Sequence, residues 1–319
     1  MKHSYLQFLG RWSGAIVPGL VVPALILAAS SPLFATGEEQ FSSAEAAVQA
    51  LTSAAKSKDT NSLHAIFGPM GHELVSPDIV QATNEREVFM DRLTEKINLV
   101  RESDSKSVLQ LGADAWPFPI PLVKQNGQWF FDSGAGKEEI LNRRIGANEL
   151  GAIAVCHAYV DAQRDYASVD RNGDEVLEYA QQLRSTPGTH DGLYWPAQSG
   201  GELSPLGPLI AQTHIEGYRQ QNRIMTEDQS PYHGYYFKVL TRQGRDAPGG
   251  KYSYIINGHM IGGFALVAWP AQWGNSGVMT FIVNQQGKVY ERNLGEKTPK
   301  IVALMTEYNP DARWKPVGD

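Results

Sequence analysis

The stretch over 134–167 limits the possible folds more than any other part of the chain. Ile140, Leu141, Ile145, Leu150, Ile153, Cys156, Tyr159 and Val160 give it a broad apolar face at helical spacing. Arg143, Arg144, Asn148 and Glu149 interrupt the run, so the helix is too polar to span a membrane. Glu138 and Glu139 fall in its first turn, where the helix dipole favours anions. An apolar face this wide is best buried against a sheet. The strands for that sheet are expected at 235–241, 252–257, 263–269, 278–284 and 288–292, where β-branched and aromatic residues concentrate. Gln285-Gln286-Gly287 is the expected tight turn between the last two.

Upstream, 41–67 reads as two helices. Ser42 and Glu45 have capping-box spacing, and Lys58, Asp59 and Thr60 form the break. A third helix is expected over 84–98, with Asn84 and Glu87 as a second box. A strand meander follows over 107–131, its hairpin turn at Asn126-Gly127. The expected class is therefore α+β. A small helix-plus-meander domain covers 40–133, and a long helix packed on an antiparallel sheet covers 134–319.

The first residues read as a signal peptide over 1–35. Lys2 and Arg11 form a basic start, 15–29 is nearly all apolar, and Ala35 is the small residue before a cut. Pro18, Gly19 and Pro23 interrupt an apolar stretch already short for a membrane span. Cleavage would remove 35 of 319 residues, leaving 284, and would take the net charge from -6 to -8 by removing two basic side chains. An exported chain, periplasmic or secreted, with no transmembrane segment after cleavage is the expectation. Its acidity argues against nucleic acid as a partner, since such binders carry an excess of Lys and Arg. An envelope protein or polymer is the expected partner class. The single cysteine, Cys156, excludes an intrachain disulfide framework, and its place on the helix's apolar face suggests a buried, inert thiol.

Five long strings carry a resemblance that spans nearly the whole chain after residue 35. They occupy 143–167 (RRIGANELGAIAVCHAYVDAQRDYA), 190–196 (HDGLYWP), 204–209 (SPLGPL), 231–244 (PYHGYYFKVLTRQG) and 262–295 (GGFALVAWPAQWGNSGVMTFIVNQQGKVYERNLG). On these the chain is identified as a member of the domain of unknown function 2950 family of exported bacterial proteins, which implies no particular activity. The second half also resembles the soluble heads of type IV pilins and pseudopilins. Asn148, Glu149, Ala152 and Ile153 match the start of such a head, and Ala162, Gln163, Tyr166 and Ala167 the late helix. Gly234, Tyr235 and Phe237, then Ala268 and Pro270, then Phe281, Val283, Gly287, Val289 and Tyr290 match its strands. The apolar segment lies more than a hundred residues before this region, so the resemblance implies a pilin-like head without a polymerising stalk. Lys56, Asp59, Leu63, Trp129 and Phe131 give the first domain a weaker similarity to nuclear-transport-factor-like cones, which implies a small-ligand carrier as one alternative.

Four sets of residues carry candidate chemistry. Asp170, Asn172, Asp174 and Glu178 alternate oxygen ligands in a turn and are candidates for Ca²⁺. They depart from the EF-hand pattern, with Glu175 where that loop needs glycine and Gln181 where it needs a bidentate Glu. The bland alternative is a solvated Asn-Gly turn before a helix over 175–183. His190 and Asp191 suggest a base and its orienter, the basis of an envelope-hydrolase alternative, although neighbours in a loop rarely face each other. Tyr194, Trp195, Tyr232, His233, Trp273 and Asn275 are candidate ligand contacts, against a reading as core and loop packing. His214 with Glu216, and His233 with His259, are remote metal-pair candidates. No Gly-x-Ser-x-Gly elbow or phosphate loop occurs. A non-catalytic binding protein is the reading preferred over the hydrolase and the carrier.

Overall fold

The computed structural model describes residues 37–76, 78–196, 201–210 and 231–318. The expected signal peptide and the His214/Glu216 pair lie outside the described residues. The chain divides into two compact units. One takes residues up to Val75 with Glu85–Leu141, and the other Ser76–Asn84 with Asn142–Asp319.

In the first unit, α1 (Ala44–Ser57) and α2 (Thr60–Phe67) meet at Lys58, whose φ of 56° turns the chain. The cap of α1 is Ser43, whose Oγ accepts the Ala46 N–H at 3.1 Å, one residue later than the expected box. Starting there buries Ala44, Ala47, Leu51, Ala54 and Ala55 on one face. Asp59 caps α2 by accepting the N–H groups of Asn61 and Ser62. The third helix, α3 (Ile79–Glu95), begins five residues before the expected Asn84. Asp78 Oδ1 accepts the N–H groups of Val80 and Gln81, and this cap leaves Asn84 and Glu87 inside the helix.

The meander comprises β1 (Ile97–Ser103), β2 (Lys106–Leu111), β3 (Trp116–Pro117), β4 (Leu122–Gln125) and β5 (Gln128–Phe131). Its order is β1-β2-β4-β5 with β3 on β2, and all pairs are antiparallel. Asn126 and Gly127 form the hairpin turn, with consecutive positive φ of 52° and 83° that suit the twist of the flanking strands. Leu51, Ile66, Leu109, Leu111, Leu122 and Phe131 fill the core of this unit.

The long helix is α4 (Ser133–Tyr166), capped by Asp132, whose Oδ1 accepts the Ala135 N–H at 2.9 Å. The division between units falls inside α4 rather than before 134. Ile140 packs with the first core, whereas Ala152, Val155, Cys156, Tyr159 and Val160 pack in the second. At the other end Arg171 donates to the carbonyls of Asp165 and Tyr166, satisfying acceptors that the last turn leaves free.

The second unit continues with β6 (Gln182–Arg184), β7 (Gly192–Tyr194), β8 (Tyr235–Leu240), β9 (Arg242–Gln243), β10 (Tyr252–Ser253), β11 (Ile255–Ile256), β12 (His259–Met260), β13 (Ala265–Pro270), β14 (Met279–Asn284) and β15 (Tyr290–Asn293). It ends with α5 (Thr298–Leu304), β16 (Glu307–Tyr308) and β17 (Lys315–Pro316). The main sheet runs β17-β15-β14-β13-β8, antiparallel throughout. All six residues of β13 are buried, so both faces of its centre are covered. The α+β class is as the sequence indicates. The strand expected over 252–257 is broken into β10 and β11, which pair with different neighbours. No helix forms over 175–183: this segment is extended and ends in β6. Among the described residues, no helix is long and apolar enough to cross a membrane.

Candidate metal centre

After α4 the chain turns through Asp170–Glu175, and Asp170 holds the turn. Its Oδ2 accepts the Glu175 N–H at 2.8 Å, and its Oδ1 accepts those of Gly173 at 2.8 Å and Asn172 at 3.3 Å. These bonds, that from Glu175 foremost, keep its carboxyl below the usual carboxylate range. Glu175 takes a φ of 65°, the left-handed conformation for which glycine is the usual choice. The turn aims Asp174 and Glu178 at the β11–β12 hairpin, whose own turn is Asn257-Gly258 with φ of 52° and 91°.

Three bonds hold the two segments together. The Tyr179 N–H donates to the Met260 carbonyl at 2.9 Å, the Met260 N–H to Glu178 Oε2 at 3.1 Å, and Gln181 Nε2 to the Gly258 carbonyl at 2.6 Å. These contacts, with Gln163 clasping Ala180, select the extended form of 176–181 over the expected helix.

The junction brings Asp174, Glu178 and His259 together, with one ligand atom from each lying within 4.8 Å of the others. His259 Nδ1 is 3.4 Å from Asp174 Oδ2 and 3.4 Å from Glu178 Oε2. The Glu178 side chain is only 13% exposed. Among the described residues, no Lys or Arg forms an ion pair with either carboxylate. Two carboxylates at this spacing repel by about 3 kcal/mol at an effective dielectric of about 20. Asn172 relieves part of that strain, its Nδ2 donating to Asp174 at 2.7 Å and to Glu178 at 2.8 Å. A divalent cation between them would relieve more. The four expected calcium ligands therefore separate by role. Asp174 and Glu178 converge, Asp170 is turned onto its own loop, and Asn172 presents its amide nitrogen.

His259 was suggested by sequence only as a partner for His233. The structure instead sets it against the acidic loop, and His233 packs its ring on Tyr232 at 4.3 Å. The readable signal was Asn257-Gly258, a hairpin turn that fixes where the next residue emerges.

The other candidates are held by their surroundings. The His190 ring stacks on Trp195 at 4.2 Å, and its carbonyl accepts the Tyr166 hydroxyl at 2.6 Å. Asp191 does not orient it. Asp191 binds Thr186 and Thr189 instead, accepting from Thr186 N and Oγ1 and from Thr189 Oγ1, each at 2.7 Å. Partial burial opposes ionisation of Asp191, but the bonds from Thr189 and Thr186 outweigh it and leave the carboxyl below its ordinary range. Tyr194 lies under the Arg184 guanidinium at 5.4 Å. Trp195 and Tyr232 are buried in the second core. Trp273 Nε1 donates to Asn293 at 3.0 Å, and Asn275 accepts from Arg144 at 2.7 Å. Cys156 is fully buried, which pushes its thiol up to about 12.

No curated protein and no solved structure matches the chain. The family model described as protein of unknown function (DUF2950) matches residues 38–317, nearly the whole chain, and the protein belongs to that family.

Proposed function

We propose that this is an exported, envelope-associated binding protein that works without catalysis, and that its second unit is braced by a divalent cation. The observation that carries the cation reading is the convergence of Asp174, Glu178 and His259 from two segments, with no Lys or Arg among the described residues to balance the carboxylates. The ion would act as a clamp, joining the loop after α4 to the β11–β12 hairpin. Export is supported by the basic, apolar and small-residue order of 1–35. The pilin-head reading is supported by a helix that shares its core with an antiparallel sheet. The partner is an envelope protein or polymer.

EDTA should lower the melting temperature of the native protein, and added divalent cation should restore it. An ion present at 100 times its Kd contributes about 2.7 kcal/mol, or roughly 5–10 °C for a chain of this size. An Asp174→Ala variant, which leaves the Asp170 bonds that hold the loop, should lose the response. An unchanged wild-type melt in EDTA refutes the clamp. Export is checked by sequencing the N-terminus of the protein recovered from its host. The binding role is checked by pull-down from envelope extracts, where the absence of any reproducible partner counts against it.

A further inference from the structure

We infer that the Asp174–Glu178–His259 centre selects a transition-metal dication of the Zn²⁺ class over Ca²⁺. The inference rests on the cation reading above and names its ion. The ligand count comes first. Calcium takes six to eight oxygens. Both Asp170 oxygens already accept backbone N–H groups, and the Asn172 amide presents Nδ2 rather than its oxygen to the carboxylates. Asp170 commits three of its roughly four acceptor sites to backbone N–H groups, so two carboxylates and at most one further Asp170 lone pair remain, too few for a calcium cage. The third group is an imidazole, a ligand that suits zinc and its neighbours and that hard cations avoid.

The distances agree. His259 Nδ1 is 3.4 Å from an oxygen of each carboxylate, longer than an ordinary N–H···O bond. Two ligands 3.4 Å apart subtend roughly 108° at a metal about 2.1 Å from each, close to the tetrahedral angle of zinc sites. Asp174, about a third exposed, can turn to close on the ion, while Glu178 is held by the Met260 N–H. Three protein ligands leave a fourth position for water or an incoming group.

The test is calorimetric titration of the EDTA-stripped full chain with ZnCl₂, CaCl₂ and MgCl₂ near pH 7. Zn²⁺ should bind one-to-one and at least about 100-fold more tightly than Ca²⁺, as expected when an imidazole joins the ligand set. His259→Gln should weaken Zn²⁺ by at least the roughly 10–100-fold that loss of an outer-shell partner costs, and leave Ca²⁺ unaffected. Glu178→Gln, which keeps an acceptor for the Met260 N–H, should weaken both. Co²⁺ should give the intense visible bands of a tetrahedral site in the wild type but not in His259→Gln. Calcium binding as tight as zinc, or zinc binding indifferent to His259→Gln, overturns the ion assignment and leaves the cation clamp standing. No heat from any of the three ions overturns both.

Discussion

Replacing Gln163 with leucine should cost the second unit about 4 kcal/mol. Gln163 is fully buried on α4. Its Nε2 donates to the Ala180 carbonyl at 2.8 Å and to the Tyr159 hydroxyl at 3.0 Å, and its Oε1 accepts the Ala180 N–H at 2.8 Å. One side chain thus replaces the neighbouring strand that Ala180 lacks. Leucine keeps the volume but removes all three bonds. The Tyr159 hydroxyl still reaches the Ala265 carbonyl at 3.2 Å, so it is not stranded. Both polar groups of Ala180, a residue 1% exposed, are left without Gln163. Each buried orphan costs about 1–3 kcal/mol, which gives about 4 for the pair. Urea unfolding followed by tryptophan fluorescence measures the loss. A fall of roughly 8–16 °C in melting temperature should accompany it. Hydrogen exchange at the Ala180 amide should rise before the rest of the sheet opens, because 176–181 loses its attachment to α4. Because Glu178 lies two residues away, metal affinity should fall as well. A loss below about 1 kcal/mol would refute the reasoning, since it would mean that water satisfies Ala180 in place of Gln163.

Two further outcomes are expected. Burial raises the Cys156 thiol from its ordinary value of 9.0 to about 12, so the folded state holds a proton that the unfolded state releases. Stability should therefore be undiminished below pH 9 and fall as pH rises from 9 towards 12, and Cys156 should resist thiol reagents at pH 8 until denaturant is added; rapid labelling of the native protein would contradict this. Glu175→Gly should stabilise the loop by about 1 kcal/mol, because glycine takes the 65° φ without the Cβ penalty. A destabilised variant in a urea titration would show that the Glu175 side chain contributes more than its backbone strain costs.

Sequence alone determined what depends on local pattern. Apolar residues at helical steps share one helix face, and they specify α4 and, from Ile153 onward, its buried face. Leu150 is exposed, however, while Arg144 and Asn148 are buried, so the middle of the face was set by the fold. Asn126-Gly127 specifies its hairpin because those two residues accept consecutive positive φ most readily. Where several polar residues could cap a helix, pattern gave only the neighbourhood. Ser43 rather than Ser42 starts α1 because that start buries its alanine and leucine face. Asp78 rather than Asn84 starts α3 because its carboxylate accepts the Val80 and Gln81 N–H groups, although Ile79 is left exposed. Tertiary structure decided what depends on partners distant along the chain. The segment 175–183 has a serviceable helix pattern, yet Gln163 and Met260 offer its backbone bonds in extended form, and those bonds prevail. The alternating Asp170, Asn172, Asp174 and Glu178 mark a loop able to hold a cation, but spacing does not say which oxygens the backbone will occupy. Nor does it say that His259, some eighty residues later, will arrive on a hairpin beside Asp174 and Glu178. Chemistry at that junction arises from two local turns docked together, and docking is a property of the fold rather than of either segment.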